Sequence, residues 1–243
     1  MKPVLNKNIP IPLYYQLKQW LTEQIERGEL RPGDAIPSER ELSEQFEISR
    51  MTVRQALLEL VNEGKLVREK GKGTFVAEPK INQGLLKLTS FSEDMRSRGM
   101  KPGARLIHVN VEDVTPKLED TLQIKGGSII SITRLRLADD KPMAIETSHL
   151  PLSQFPELRQ QDLHDQSLYQ FLEHYYGITI SYASQTIEVG MPSPRERELL
   201  QIREGVPVLR TERITYDENR SPIEFVQSSY RGDRYKLYAE LVR

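Results

Sequence analysis

The chain has 243 residues, a net charge of −1, 37% apolar and 28% charged residues, and no cysteine. That length allows a small domain plus a larger one, and the composition fits a globular chain rather than a disordered one. Disulfides, thiolate metal sites and cysteine nucleophiles are excluded; no apolar run approaches the roughly 18 residues of a membrane span, and MKPVLNKNIPIPLYYQ lacks a signal-peptide core, so the expected place is the cytoplasm with no membrane partner.

In chain order, the first element is an amphipathic helix with Leu13, Leu17, Trp20, Leu21 and Ile25 on one side and Glu23, Glu26 and Glu29 on the other. An acidic polar face suits packing beneath neighbouring helices, since lipid-binding helices are usually basic. Gly28 and Arg31-Pro32-Gly33-Asp34 stop it. Two further helix starts follow eleven residues apart. Ser38 with Glu41 makes a capping box, and Ser49 is a second N-cap. Val53, Leu57, Leu60 and Val61 mark the buried side of the second of these helices, and Gly64 ends it. Arg50, Thr52, Arg54 and Gln55 are thereby left facing outward. Arginine can bond guanine bidentately, glutamine suits adenine, and threonine offers a hydroxyl or a methyl. Lys65 to Val76 then reads as a hairpin around Lys70-Gly71-Lys72-Gly73, where two glycines let backbone approach a phosphate or the minor groove.

This is the pattern of a winged helix-turn-helix. Residues 1–80 hold 13 Lys and Arg against 12 Asp and Glu, so placement rather than bulk charge carries the nucleic-acid reading. PSERELSEQF…SRMTVRQALLELVNEGKLVREKGKGTFV resembles the N-terminal domain of GntR-type bacterial transcription regulators, without gaps. The resemblance implies that Arg40, Arg50, Thr52, Arg54 and Gly71 fall on DNA-contacting positions, with Ser38 and Lys70 as phosphate or groove neighbours. The expected boundaries are 8–77 for this domain and 78–88 for a linker broken by Pro79 and Gly84, followed by 89–243 as a second domain.

The remainder alternates strand-like runs with short helices and repeats weakly at a spacing of 78 residues. TPKLEDTLQIKGGSI from Thr115 aligns with SPRERELLQIREGVP from Ser193, and Ile145-Glu146 aligns with Ile223-Glu224. Each copy has an N-cap, an N1 proline, a short helix and two strands about a polar turn. The pattern predicts one antiparallel sheet whose two hairpins present their acids at corresponding places. Arg134 and Arg136 share a strand face. Two guanidiniums there demand anions, met either by a ladder of neighbouring acids or by a bound phosphate, whose oxygens match the arginine fork. Ser167 and Tyr169, at a helix start, are further donors.

LTSFSEDMRSRGMKPGARL, TRLRLADDKPMAIETSHLP, SLYQFL and EFVQSSYRGDRY resemble the UTRA effector-binding domain of the HutC branch of GntR regulators. The resemblance implies an α+β architecture: the winged helix-turn-helix, then an antiparallel-sheet domain of chorismate-lyase-like fold that binds an effector and dimerises. Within the branch the likeness is to repressors of N-acetylglucosamine use, which respond to amino-sugar phosphates. Ser90, Arg134, Arg136, Ser167 and Tyr169 would then hold the phosphate, and Phe91, Glu146, Glu224 and Tyr230 would face the sugar. Other branch members answer to trehalose phosphate, histidine-pathway acids or fatty acids. An enzymatic sugar-phosphate domain is the reading from a different class, but the chain has no nucleophile motif or nucleotide loop, and its histidines stand singly. No catalytic residue, metal or cofactor is assigned. The expected partners are a double-stranded, near-palindromic DNA operator, a second copy of the chain and a phosphosugar.

Overall fold

The computed structural model describes residues 5–69, 71–159 and 167–241. They divide into two compact units, 1–80 and 81–243.

The first unit contains α1 (Leu13–Glu26), β1 (Ala35–Ile36), α2 (Glu39–Phe46), α3 (Arg50–Asn62), β2 (Leu66–Glu69) and β3 (Gly73–Val76), with its strands in the order β1-β3-β2. Local chemistry fixes the helix ends. Ser38 and Glu41 form the reciprocal capping box of α2, and the Ser49 hydroxyl accepts the Thr52 amide at the start of α3. Leu17 and Leu21 of α1 pack with Leu42 and Phe46 of α2 and with Val53, Leu57 and Leu60 of α3. Each such burial is worth about 1.5–3 kcal/mol, and this core holds α3 with its Arg50–Gln55 side outward.

The second unit is built on a six-stranded antiparallel sheet. In chain order it has β4 (Ile81–Gly84), α4 (Phe91–Ser97), β5 (Pro102–Asp113), α5 (Pro116–Leu122), β6 (Ser128–Ala138) and β7 (Lys141–Pro151). There follow a 3-10 turn at Pro156–Arg159, α6 (Leu168–Tyr176), β8 (Ile180–Gly190), α7 (Pro194–Leu200), β9 (Val208–Asp217), β10 (Pro222–Arg231) and β11 (Tyr235–Tyr238). The sheet order is β5-β6-β7-β10-β9-β8, and β4 pairs separately and in parallel with β11. The stretch 78–88, expected as a linker, is therefore partly a strand. Residues 81–84 find their hydrogen-bond partners at Tyr235–Tyr238, far along the chain.

The repeat is longer than the sequence pattern suggests: α4-β5-α5-β6-β7 is followed by the same succession, α6-β8-α7-β9-β10. α5 and α7 start at Thr115 and Ser193 and end at Gln123 and Gln201, both left-handed with φ 53°. The two halves meet where β7 pairs with β10, about the Thr147–Gln227 position. One expectation is corrected here. Both hairpins carry a register shift, between Arg136 and Leu137 in the first and between Pro222 and Glu224 in the second, but the stretch joining Tyr216 to Pro222 is one residue longer than that joining Leu137 to Pro142. Arg134, paired with Glu146, consequently corresponds to Arg213, paired with Val226; Glu146 and Glu224 do not occupy corresponding places.

α5 and α7 cover one sheet face through Leu118, Leu122, Leu200 and Ile202. On the other, α6 sets Leu168 and Leu172 against Ile130, Ile132 and Leu150, while α4 sets Phe91 and Met95 against Ala138 and Met143. Between these two apolar clusters that face is polar.

Candidate functional sites

On the first unit, Arg50, Arg54 and Gln55 project from α3 into solvent, and Thr52 is half-buried. Thr52 Oγ1 lies 2.8 Å from Ser49 Oγ, so the cap also orients this side chain. Arg54 is held by Glu39 of α2, with Nη2 donating to Oε2 at 2.8 Å, and Arg68 of β2 donates to the other oxygen of the same carboxylate. Glu39, which sequence reasoning missed, thus ties the reading helix to the wing. Its carboxyl is held below the usual range, first by the Arg54 hydrogen bond. Arg40 is exposed and makes a loose pair with Glu44 at 3.8 Å. Ser38 is engaged in its capping box, and Gly71 has φ +79°, a conformation that disfavours a side chain. Lys70 lies outside the described residues.

On the second unit, the pairing registers place Arg134, Arg136, Glu146, Ser148, Ser228, Thr211 and Arg213 on one face of four adjacent strands. Arg134 is 2% exposed, Arg136 3% and Glu224 1%, so these are interior groups rather than a surface ladder. A small chamber of about 20 Å³ is lined by Ser90, Phe91, Arg134, Arg136, Glu146, Ser167, Tyr169 and Glu224, together with Arg213. Tyr230 lines an adjoining cavity of about 450 Å³ that shares Ser90, Phe91 and Arg213 with the chamber.

Arg134 Nη2 donates to Glu146 Oε1 at 2.8 Å. Arg136 donates to Ser92 Oγ at 3.0 Å and lies over the Phe91 ring at 4.7 Å. Tyr169 and Thr215 hydroxyls are 3.0 Å apart, and Thr215 donates to Glu224 at 3.3 Å. Ser90 caps α4, its N–H and hydroxyl both donating to Glu93 Oε2 at 2.8 and 2.9 Å, so the Glu93 carboxylate holds donors that an anionic ligand would use. Ser167 caps α6 through a longer contact of 3.4 Å from the Gln170 amide.

Burial alone would raise the Glu146 carboxyl, but Arg136, Arg134 and Arg213 hold it below its ordinary value. Burial and the neighbouring Glu146 push the Glu224 carboxyl up, toward its neutral form. Three guanidiniums therefore face one firmly ionised carboxylate and one that is discharged more easily, which leaves a cationic surplus. The Thr211 hydroxyl and the Nε atoms of Arg136 and Arg213 are buried without a well-formed hydrogen bond among the described residues, while the Ser148 and Ser228 hydroxyls have only loose contacts, with Glu224 and Tyr230. Buried polar atoms are nearly always satisfied, so a cluster of exceptions calls for a partner from outside the chain. Sequence reasoning offered Arg213 only as an ion-pair partner for Glu146 or Glu224, and it missed the three hydroxyls, because their facing depends on turn length; aligning Arg134 with Arg213 rather than Glu212 would have exposed them.

The sequence pattern of the family described as bacterial regulatory proteins, gntR family, matches residues 13–76, and that of the UTRA domain matches 97–236. The HTH-type transcriptional repressor NagR of Bacillus subtilis (strain 168) is 51% identical over 232 residues, covering 95% of this chain and 95% of its own. The mannosyl-D-glycerate transport/metabolism system repressor MngR of Escherichia coli (strain K12) is 35% identical, covering 93% and 94%. The crystal structure of PhnF from Mycobacterium smegmatis matches with a TM-score of 0.66 at 33% identity, over 94% of this chain and 98% of that one. These relatives and domains are transcriptional regulators, not enzymes. No helix among the described residues is long and apolar enough to cross a membrane. With a winged helix-turn-helix in its first unit and a UTRA domain in its second, the chain belongs to the gntR family of bacterial regulatory proteins, in the HutC-type branch, and is a transcriptional repressor.

Proposed function

We propose that this repressor acts in the cytoplasm as a homodimer that holds a near-palindromic operator and releases it when an amino-sugar phosphate, such as glucosamine 6-phosphate or N-acetylglucosamine 6-phosphate, enters the second unit. The observation that carries the reading is the buried cationic surplus of Arg134, Arg136 and Arg213 over Glu146 and Glu224. A dianionic phosphate answers it, whereas a neutral or aliphatic ligand would leave it unmatched. Likeness to NagR favours the amino-sugar class. In this reading Arg136, Arg134, Ser90, Ser167 and Tyr169 receive the phosphate, and Phe91, Glu146, Glu224 and Tyr230 meet the sugar. Arg40, Arg50, Thr52, Arg54, Gln55 and the Gly71 turn contact DNA, with Ser38 and Lys70 beside the phosphates.

The segment Gln83–Phe91 walls the larger cavity and continues directly into the chain of the reading head. A ligand that rearranges this wall has a covalent route to the helix-turn-helix, and it changes operator affinity only so far as it binds the two arrangements unequally. The test is a thermal-shift screen with glucosamine 6-phosphate, N-acetylglucosamine 6-phosphate, trehalose 6-phosphate and urocanate, followed by operator release. Amino-sugar phosphates are expected to raise the melting temperature and free the DNA. Arg136→Ala is expected to bind operator normally and ignore them; normal release by that variant would remove the phosphate site.

A further inference from the structure

Arg134 and Arg136 already have partners within the chain, in Glu146 and Ser92. Arg213 does not. Its Nε is buried without a hydrogen bond, and its guanidinium makes no hydrogen bond and no ion pair within 4.0 Å among the described residues. Glu146, Glu224, Tyr169 and Tyr230 lie close enough to favour its charge electrostatically, yet none grips it. Burial works against that charge but its surroundings outweigh it, so Arg213 stays cationic with its donors uncommitted. The duplicated architecture explains how it came to be there, since Arg213 holds in the second half the position of Arg134 in the first.

Its location adds the second observation. Arg213 lines both the small chamber and the adjoining cavity, while Arg134 and Arg136 line the chamber alone. The chamber, at about 20 Å³, has to widen to admit even a phosphate and leaves no room for the rest of an effector, whereas the cavity, at about 450 Å³, falls within the size range of small-molecule sites. A ligand anchored by phosphate in the chamber therefore has to run past Arg213 to place its remaining atoms. Thr211, two residues along the same strand face, offers another hydroxyl without a partner and also lines the cavity. Leu85, Ile187, Leu209 and Tyr182 supply apolar wall around these donors.

We propose that Arg213 is a second anchor and a specificity-determining residue: it receives an oxygen acceptor, a carbonyl, carboxylate or hydroxyl, carried by the effector beyond its phosphate. The effector class is thus a phosphate ester with an acceptor-bearing body that enters the larger cavity. This rests on the phosphosugar reading, and the experiment separates the two.

Binding of inorganic phosphate and of N-acetylglucosamine 6-phosphate is measured on the full-length chain and on Arg213→Met and Arg213→Lys, alongside ligand-free melting temperatures. The wild type is expected to bind the sugar phosphate more tightly than phosphate. Arg213→Met is expected to lose about tenfold or more in sugar-phosphate affinity, 1.4 kcal/mol per tenfold, with a clearly smaller loss in phosphate affinity because Arg213 also borders the chamber, and Arg213→Lys to recover part of the loss. Unchanged sugar-phosphate affinity in Arg213→Met, or equal loss of both ligands, overturns the anchor. So does a fall in melting temperature in both variants, which would make Arg213 a part of the fold. If the wild type binds neither ligand, the phosphosugar reading itself fails and the anchor with it.

Discussion

Glu39 shares its two carboxylate oxygens between Arg54 of the reading helix and Arg68 of the wing. Both arginines are half-exposed while Glu39 is largely covered, so the carboxylate acts as a fixed post that limits where two mobile cations can point. Such pre-orientation matters more for sequence choice than for gross affinity, since phosphate contacts attract any duplex and base-edge contacts discriminate. Arg54→Ala is expected to cost about 1–3 kcal/mol of operator binding and to relax preference at the contacted base pair. Glu39→Gln removes a negative charge from the reading side and frees both arginines. Its expected signature is different: affinity for a scrambled duplex rises while the ratio of operator to scrambled binding falls. Gel-shift titrations with both duplexes at one fixed salt concentration measure both variants, because the electrostatic part varies steeply with salt. An unchanged ratio in Glu39→Gln would show that the post plays no part in discrimination.

The elements of both units begin and end where local chemistry dictates, and for that reason their caps were legible in the sequence. Ser38 with Glu41, Ser49, Thr115 and Ser193 are all N-caps in the structure, each decided within four residues. Facing across strands is decided elsewhere. The longer turn between Tyr216 and Pro222 moves Glu224 out of correspondence with Glu146, and β4 gains its strand identity only from Tyr235–Tyr238. Most of the chamber lining was readable from its motifs, whereas Arg213 and the unsatisfied hydroxyls depended on those distant registers. One cap reaches beyond its own helix. Glu196 closes the α7 capping box on Ser193 and also accepts from Arg210 at 2.9 Å and from Ser229 at 2.6 Å, which pins α7 to β9 and β10. Burial works against its ionised form, but Arg210, Ser229 and Ser193 outweigh it and hold the carboxyl at about 2. A depressed folded pKa contributes stability above the unfolded value that is lost as pH falls through the folded one. Glu196→Gln is therefore expected to cost about 1 kcal/mol at neutral pH, modest because Arg210 is partly exposed and screened. The gap from wild type should close between about pH 4.5 and about pH 2. Urea denaturation across that range checks it; a gap independent of pH would assign the loss to packing rather than charge.

At the scale of the whole molecule, the proposed mechanism has effector and operator competing for one conformational equilibrium, and thermodynamic linkage then makes their antagonism reciprocal. A coupling of about 1–3 kcal/mol corresponds to roughly 5- to 150-fold weaker operator binding with the phosphosugar present. The same factor must then appear in the opposite experiment: operator DNA should weaken phosphosugar binding to the same extent, measured calorimetrically on the full-length chain with and without a saturating duplex. Simple occlusion of the DNA site is excluded by a finite common factor, because two ligands that contest one surface show unlimited mutual exclusion as either concentration rises. A population shift saturates, since an effector moves the equilibrium only by its differential affinity for the two states. The two halves of the sheet supply a physical reason for such a shift. Arg134 and Arg136 come from one half of the duplicated fold and Arg213 from the other, so a ligand gripped by all three ties the halves across the β7–β10 pairing. Variants that cut one grip should reduce the common factor while leaving operator affinity in the absence of ligand untouched. Operator affinity that goes on falling in proportion to phosphosugar concentration, with no plateau, would replace the shared transition with direct occlusion.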